Sequence, residues 1–371
     1  MKLTAVPPPE VAENIALLKP YIPGKPIDEV KRELGVENLV KLASNENPLG
    51  PSPMAVQAIS KMASTLHTYP DASSHALRSA LSSKLMVDPE CLVFGNGSDD
   101  ILHLLGVTFL EPGDQAVQPD PSFARYEAAA LLNGSLSIKV PLSSDWNYNI
   151  EAMLSAITPK TRILFLCNPN NPTGTMITES QMERILEHLP ERAILALDEA
   201  YYEYAVSAPG YPDSLRYVRE ERNLVILRTF SKAYGLAGLR IGYGIMRPQI
   251  SRWLERTREP FNVNSLAQAA AAAALDDVQF VRRTQTVNEE GKAQLYSALD
   301  QMGMSFTPTF GNFLWVDLKQ DGRSVYESLL RCGVIVRFIN HPRAASYIRV
   351  TIGTREENER FLQALFSIIK T

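Results

Sequence analysis

The 371-residue chain has little of what metal or thiol chemistry needs. Its three cysteines, Cys91, Cys167 and Cys332, are odd in number and far apart, so neither a disulfide framework nor a paired-cysteine zinc site is available. Its five histidines, His67, His75, His103, His188 and His341, show no metal-ligand spacing. No apolar run approaches the ~18 residues of a membrane span, and residues 1–9 lack the apolar stretch of a signal peptide. A cytoplasmic location is therefore expected. Neither sign of charge dominates: 37 Lys plus Arg against 41 Asp plus Glu leave a formal net charge of −4. That balance gives no electrostatic reason to expect nucleic acid or an anionic membrane as partner. What remains, 45% apolar and 21% charged residues, is the make-up of a globular protein, and the length suggests two or three domains.

Residues 1–45 read as an arm. Pro7, Pro8, Pro9, Pro20, Pro23, Gly24 and Pro26 interrupt it, one short helix is expected over 11–18, and 39–42 is strand-like. Residues 46–265 alternate helical and strand-like segments. The strands are expected over 91–94, 115–117, 135–140, 162–166, 193–197, 224–227 and 242–245. Continuous apolar strands between amphipathic helices predict an α/β domain, with a mostly parallel seven-stranded sheet covered by helices on both faces. In residues 266–371, six consecutive alanines (Ala269 to Ala274) place a helix over 265–275, and a longer one is expected over 278–300. Strand-like runs at 313–318, 334–337 and 347–352 complete a smaller α+β domain, to which the arm contributes.

The chemistry-bearing segments follow successive strands. Gly95-Asn96-Gly97-Ser98-Asp99-Asp100 joins a strand to a helix, where backbone N–H groups and the helix dipole suit a phosphate. A capped helix explains that turn equally well. It is not a dinucleotide fingerprint, because Asp100 stands where the third glycine would be. Asn168-Pro169-Asn170-Asn171-Pro172-Thr173-Gly174 lies beyond the next strand but two, where α/β sheets bind ligands, although an ordinary tight turn also fits. Asp198 ends a wholly apolar run, so its carboxylate needs a cation or a donor, and Tyr201 follows it by three residues. Thr229-Phe230-Ser231-Lys232, with Arg240 close behind, puts an amine among hydroxyls and a guanidinium. Any one lysine is usually a surface lysine. Taken in order, one ligand satisfies the whole set: an aromatic cation with a phosphate and a phenolic oxygen, bound through an aldehyde, as in pyridoxal 5′-phosphate.

The sequence resembles the fold-type I pyridoxal-phosphate-dependent aminotransferases, and within them the histidinol-phosphate branch. The resemblance spans nearly the whole chain, from Leu18-Lys19-Pro20-Tyr21-Ile22-Pro23-Gly24 to Ile348-Arg349-Val350-Thr351-Ile352-Gly353. Ser44-Asn45-Glu46-Asn47-Pro48-Leu49-Gly50, Tyr69-Pro70-Asp71, Asn171-Pro172-Thr173-Gly174 and Ser231-Lys232-Ala233-Tyr234-Gly235 lie between. It implies a fold-type I transferase in which Lys232 anchors the cofactor covalently and then carries a proton. Asp198 would pair with the ring nitrogen, Asn171 and Tyr201 with the phenolic oxygen, and Phe123 would stack on the ring. Ser98, Asp99, Thr229, Ser231 and Arg240 would hold the phosphate. Tyr69 is implied to reach the neighbouring site of a homodimer. Tyr21, Asn45, Arg337 and Arg349 would meet the substrates, implied to be histidinol phosphate and 2-oxoglutarate or glutamate. For Arg337 and Arg349 a strand-edge salt bridge stays open. An aromatic or broad-range aminotransferase and a threonine-phosphate decarboxylase remain rival activities, with a cofactor-binding regulatory module behind them.

Overall fold

The computed structural model describes residues 9–369, so the breaks expected at Pro7 and Pro8 lie outside the described residues. Thirteen strands follow in chain order. They are β1 (Val40–Lys41), β2 (Leu92–Gly95), β3 (Gln115–Asp120), β4 (Leu136–Pro141), β5 (Thr161–Cys167), β6 (Ile194–Asp198) and β7 (Leu224–Thr229), then β8 (Gly242–Met246), β9 (Ser305–Thr307), β10 (Phe313–Asp317), β11 (Val334–Ile335), β12 (Arg337–Phe338) and β13 (Tyr347–Thr351). Seven form one sheet in the order β2-β8-β7-β6-β5-β3-β4. β3 to β7 run parallel, and β8 lies antiparallel to both of its neighbours.

The central strands are apolar throughout because both faces are covered. Successive residues of a strand point to opposite faces. Leu164, Leu166, Leu195, Leu197, Leu224 and Ile226 therefore join one core. Ile163, Phe165, Cys167, Ile194, Ala196, Val225 and Leu227 join the other. The alanine-rich helix Ser265–Asp276 sits in the first core, burying Ala267, Ala270, Ala271 and Ala274 beside Ala55, Leu77 and Leu81. Its short side chains let it lie close on the helices Pro53–Met62 and His75–Leu85.

A second sheet, β12-β13-β10-β9, is antiparallel and packs under the 24-residue helix Val278–Gln301 and the helix Arg355–Ile369. The strand expected over 334–337 is two strands instead. Val334–Ile335 pairs in parallel with β1 of the arm, and Arg337–Phe338 pairs with β13, so Val336 is where the chain leaves one sheet for the other. The helix expected over 11–18 is a single turn, Glu13–Ala16. The arm also carries Ile27–Leu34, which follows Pro26 and stops at Gly35 in the left-handed region (φ +67°), where glycine is at no disadvantage. No helix among the described residues is long and apolar enough to cross a membrane.

Candidate active site

The carboxyl ends of β2, β3, β5, β6 and β7 open on one cavity of about 410 Å³. Because β8 runs the other way, Arg240, which precedes it, arrives at the same rim. Fourteen of the fifteen residues expected at the site line this cavity: Tyr21, Asn45, Ser98, Asp99, Phe123, Asn171, Asp198, Tyr201, Thr229, Ser231, Lys232, Arg240, Arg337 and Arg349. Tyr69 does not. It is 82% exposed and stacks on Phe261, ring centroids 4.8 Å apart.

Lys232 sits in the loop after β7, and its Nζ donates to the Ser44 carbonyl at 2.9 Å. Burial pushes its amine down to about 7. The guanidinium charges of Arg349 and Arg240 push the same way, and Glu46 and Asp198 push back. Asp198 ends β6 and is buried. Its Oδ2 accepts from the Tyr126 hydroxyl at 2.7 Å and its Oδ1 from the Ala200 N–H at 3.1 Å. Burial raises its carboxyl to about 6, against the pull of those two donors. The charged partner demanded by a strand-end acid goes instead to the next residue. Glu199 is fully buried and meets Arg228 at 2.8 Å, while the Arg228 guanidinium lies 3.4 Å from the Tyr202 ring centroid. Asp198 meets only neutral donors among the described residues.

The Tyr201 hydroxyl accepts from Asn45 Nδ2 at 2.9 Å and from Asn171 Nδ2 at 3.3 Å. Burial raises its pKa. Asn171 is itself oriented by Arg349, whose Nη1 donates to Asn171 Oδ1 at 2.6 Å while Nη2 donates to the Ala43 carbonyl at 2.5 Å. Arg349 is buried, its Nε has no partner, and burial followed by the like charge of Arg337 lowers its pKa. Arg337 donates to the Ile22 carbonyl and lies 5.9 Å from the Tyr21 ring. Among the described residues neither arginine meets a carboxylate, so the strand-edge salt bridge is not formed.

The turn after β2 is shaped for close approach. Gly97 stands at the N-cap of the helix Ser98–Phe109, at φ +87°, and a Cβ there would fall 2.6 Å from Arg240 Nη2. A Cβ at Gly242 would fall 2.3 Å from the Ser98 nitrogen. Both Asp99 carboxylate oxygens accept from Arg125 Nε, at 2.8 and 3.1 Å. Opposite, Thr229 Oγ1 and Ser231 Oγ lie 3.0 Å apart. Backbone N–H groups, two hydroxyls and a guanidinium thus converge where a helix dipole is positive, which suits an oxyanion. Phe123 meets Tyr126 edge-on at 5.7 Å.

Sequence reasoning missed Tyr126 and the Ser44 carbonyl. Tyr126 stands three residues past Phe123 and leaves no mark distinguishing it from a core aromatic. A backbone acceptor leaves none at all.

The sequence model of the family described as aminotransferase class I and II matches residues 37–365. The histidinol-phosphate aminotransferase of Moorella thermoacetica is 51% identical over 362 residues, spanning 97% of this chain and 93% of that protein. Histidinol-phosphate aminotransferase 2 of Carboxydothermus hydrogenoformans is 43% identical, over 97% and 99%. The crystal structure of histidinol-phosphate aminotransferase from Sinorhizobium meliloti in complex with pyridoxal-5′-phosphate superposes with a TM-score of 0.90. It has 26% identity and covers 97% of each chain.

Proposed function

The chain belongs to the aminotransferase class I and II family, and from that premise we propose that it exchanges an amino group between histidinol phosphate and 2-oxoglutarate, giving imidazole-acetol phosphate and glutamate. The observation that carries this reading is one cavity holding a partly buried lysine, its amine lowered to about 7, and a buried guanidinium that no carboxylate among the described residues answers. The names borne by the 51% and 43% identical relatives support the substrate.

The residues present fit pyridoxal 5′-phosphate. Gly97 and Gly242 keep the turn beside Ser98 clear of side chains, leaving the helix N-terminus, Arg240, Thr229 and Ser231 to take a phosphate. Asp198 is a buried acid with no cation bonded to it among the described residues, and a protonated ring nitrogen would supply one. Bound there, the cofactor supplies an aldehyde that accepts the substrate's amino group and a ring that accepts electrons when Cα loses its proton.

Lys232 would act as the base at the substrate's Cα and pass that proton to the cofactor carbon within the same half-reaction, and would move a proton the other way in the opposite half of a ping-pong cycle. An amine titrating near 7 suits both directions. Asp198, its carboxyl raised to about 6 by burial, would hold the ring nitrogen's proton when ionised. Tyr201 and Asn171 would hold the phenolic oxygen, and Phe123 would stack on the ring. Arg349, with Arg337, Tyr21 and Asn45 beside it, grips the anionic end of each substrate. A planar guanidinium fork matches a carboxylate and a phosphate alike, so one arginine serves both. The reading extends to a cytoplasmic homodimer in which the exposed Tyr69 reaches the partner's site. It also draws the chain as an arm over 1–45, a large domain and a small one. The large domain is drawn over 46–265 and the small one over 266–371, with the helix Ser265–Asp276 at the joint packing in the core of the large sheet.

The test is a half-reaction on purified holoenzyme, followed by the cofactor's visible absorption. Histidinol phosphate should convert it at far lower concentration than phenylalanine does. Preference for phenylalanine would make this an aromatic aminotransferase, and release of CO₂ from threonine phosphate would make it a decarboxylase.

A further inference from the structure

The cavity is rich in cations, and three acidic side chains line it: Glu46, Asp99 and Asp198. Two of these are fully engaged. Asp198 takes the Tyr126 hydroxyl and the Ala200 N–H, and both oxygens of Asp99 take Arg125. Glu46 differs. Its Oε1 accepts from Lys41 Nζ at 2.8 Å, its Oε2 accepts no hydrogen bond among the described residues, and the side chain is 44% exposed. A half-exposed ion pair of this kind contributes little to stability, so the pairing alone does not account for an acid placed here.

The backbone on either side of Glu46 is pinned. Asn45 Nδ2 donates to the Tyr201 hydroxyl, and the Asn45 carbonyl accepts from Asn312 at 3.1 Å. Asn47 Nδ2 donates to the Ala233 carbonyl, beside the lysine, at 2.9 Å. Glu46 is therefore presented to the cavity from a fixed frame. Its charge also reaches Lys232, where it works against the effect of burial.

On the reading above, the amine substrate carries three polar parts. The arginines answer its phosphate, and Lys232 stands at its amine. Its imidazole ring carries an N–H donor in either protonation state and a positive charge when protonated. We propose that Glu46 is the specificity-determining residue for that ring: its free Oε2 accepts the ring N–H, and Lys41 holds the carboxylate in place through Oε1. The proposal rests on the histidinol-phosphate reading and deepens it. A charge-assisted hydrogen bond of this kind distinguishes an imidazole from a plain aromatic ring, which an apolar wall cannot do strongly.

The test compares half-reaction kcat/KM for histidinol phosphate, glutamate and phenylalanine in the wild-type holoenzyme, Glu46→Gln and Glu46→Asp. Losing the Glu46 charge shifts Lys232 for every amine alike, so the ratio between substrates isolates the ring contact. The histidinol-phosphate to glutamate ratio should fall about ten- to hundredfold in Glu46→Gln, chiefly through KM, with the phenylalanine to glutamate ratio unmoved. Glu46→Asp, with its charge drawn back by one methylene, should give an intermediate fall and serves if Glu46→Gln does not fold. A ratio in either variant within about twofold of wild type, in an enzyme that does use histidinol phosphate, would overturn the role of Glu46 alone. A wild-type enzyme that does not use histidinol phosphate would overturn the underlying reading and this proposal with it.

Discussion

Tyr126→Phe removes one oxygen and leaves the packing, because the ring itself stacks on Phe165 at 5.0 Å with 6° between planes. What is lost is the 2.7 Å hydrogen bond to Asp198 Oδ2. A hydrogen bond to a charged group is worth about 1.5–3 kcal/mol, and 1.36 kcal/mol corresponds to one pKa unit, so Asp198 should rise by about one to two units above its present value of about 6. A carboxyl whose pKa in the folded protein exceeds its unfolded value of about 3.9 favours the fold at low pH, and that contribution is lost as pH rises through the folded value. In the cofactor-free protein, this group's share of stability should therefore disappear between pH ~4 and ~6 in the wild type and only between ~4 and ~7–8 in the variant. Thermal midpoints measured across pH 4–9 should show the two curves diverging above pH 6. In the holoenzyme, where the proposed function needs Asp198 ionised, the acid limb of kcat/KM should move up by the same amount. Superimposable pH curves in both assays would refute the argument, because the bond would then not be holding the charge on Asp198.

Lys232→Met should abolish transamination. It should also flatten the wild-type rise in apoprotein stability as pH climbs from ~7 to ~10, since an amine depressed to about 7 contributes stability above its unfolded pKa and loses it as pH falls through the folded one. An unchanged slope in urea melts would contradict the burial argument. Gly97→Ala puts a methyl 2.6 Å from Arg240 Nη2 at φ +87°, and should weaken cofactor binding at least tenfold in a spectral titration while leaving far-ultraviolet circular dichroism intact. Arg228→Met leaves Glu199 buried without its cation, and should lower unfolding free energy by about 3–5 kcal/mol; a loss below ~1 kcal/mol would show the pair to be dispensable.

The large sheet was legible because its strands are short apolar runs between turn residues, and the cavity because successive motifs each end such a run. The division at Val336 was not legible. Val334 to Arg337 reads as one apolar strand, and what splits it is pairing with Val40 and Lys41, almost three hundred residues earlier. The helix Ile27–Leu34 did carry its signals, Pro26 before it and Gly35 after, but they stand in a proline-rich stretch that reads as irregular. At the site, Asp198 was found because a carboxylate is costly to bury without a purpose, whereas Asn45, Arg337 and Arg349 were found only through the family resemblance. Tyr126 escaped for the opposite reason, since a buried tyrosine needs no ligand to justify it.

The reversed direction of β8 has a consequence for how this protein tolerates change. Thr229 and Gly242 lie opposite each other across β7 and β8, and the Phe230 N–H reaches the Ile241 carbonyl, so segment 230–241 leaves the rim and returns to it like a staple with both feet in one board. Adding or deleting a residue there shifts Lys232 and Arg240 against each other, and no strand can slide to absorb the error. The turns at the opposite ends of the strands, such as residues 190–193, lead back into the sheet away from the cavity. Length variation belongs at that end, and a library of loop insertions should return active enzymes from one edge of the sheet and almost none from the other.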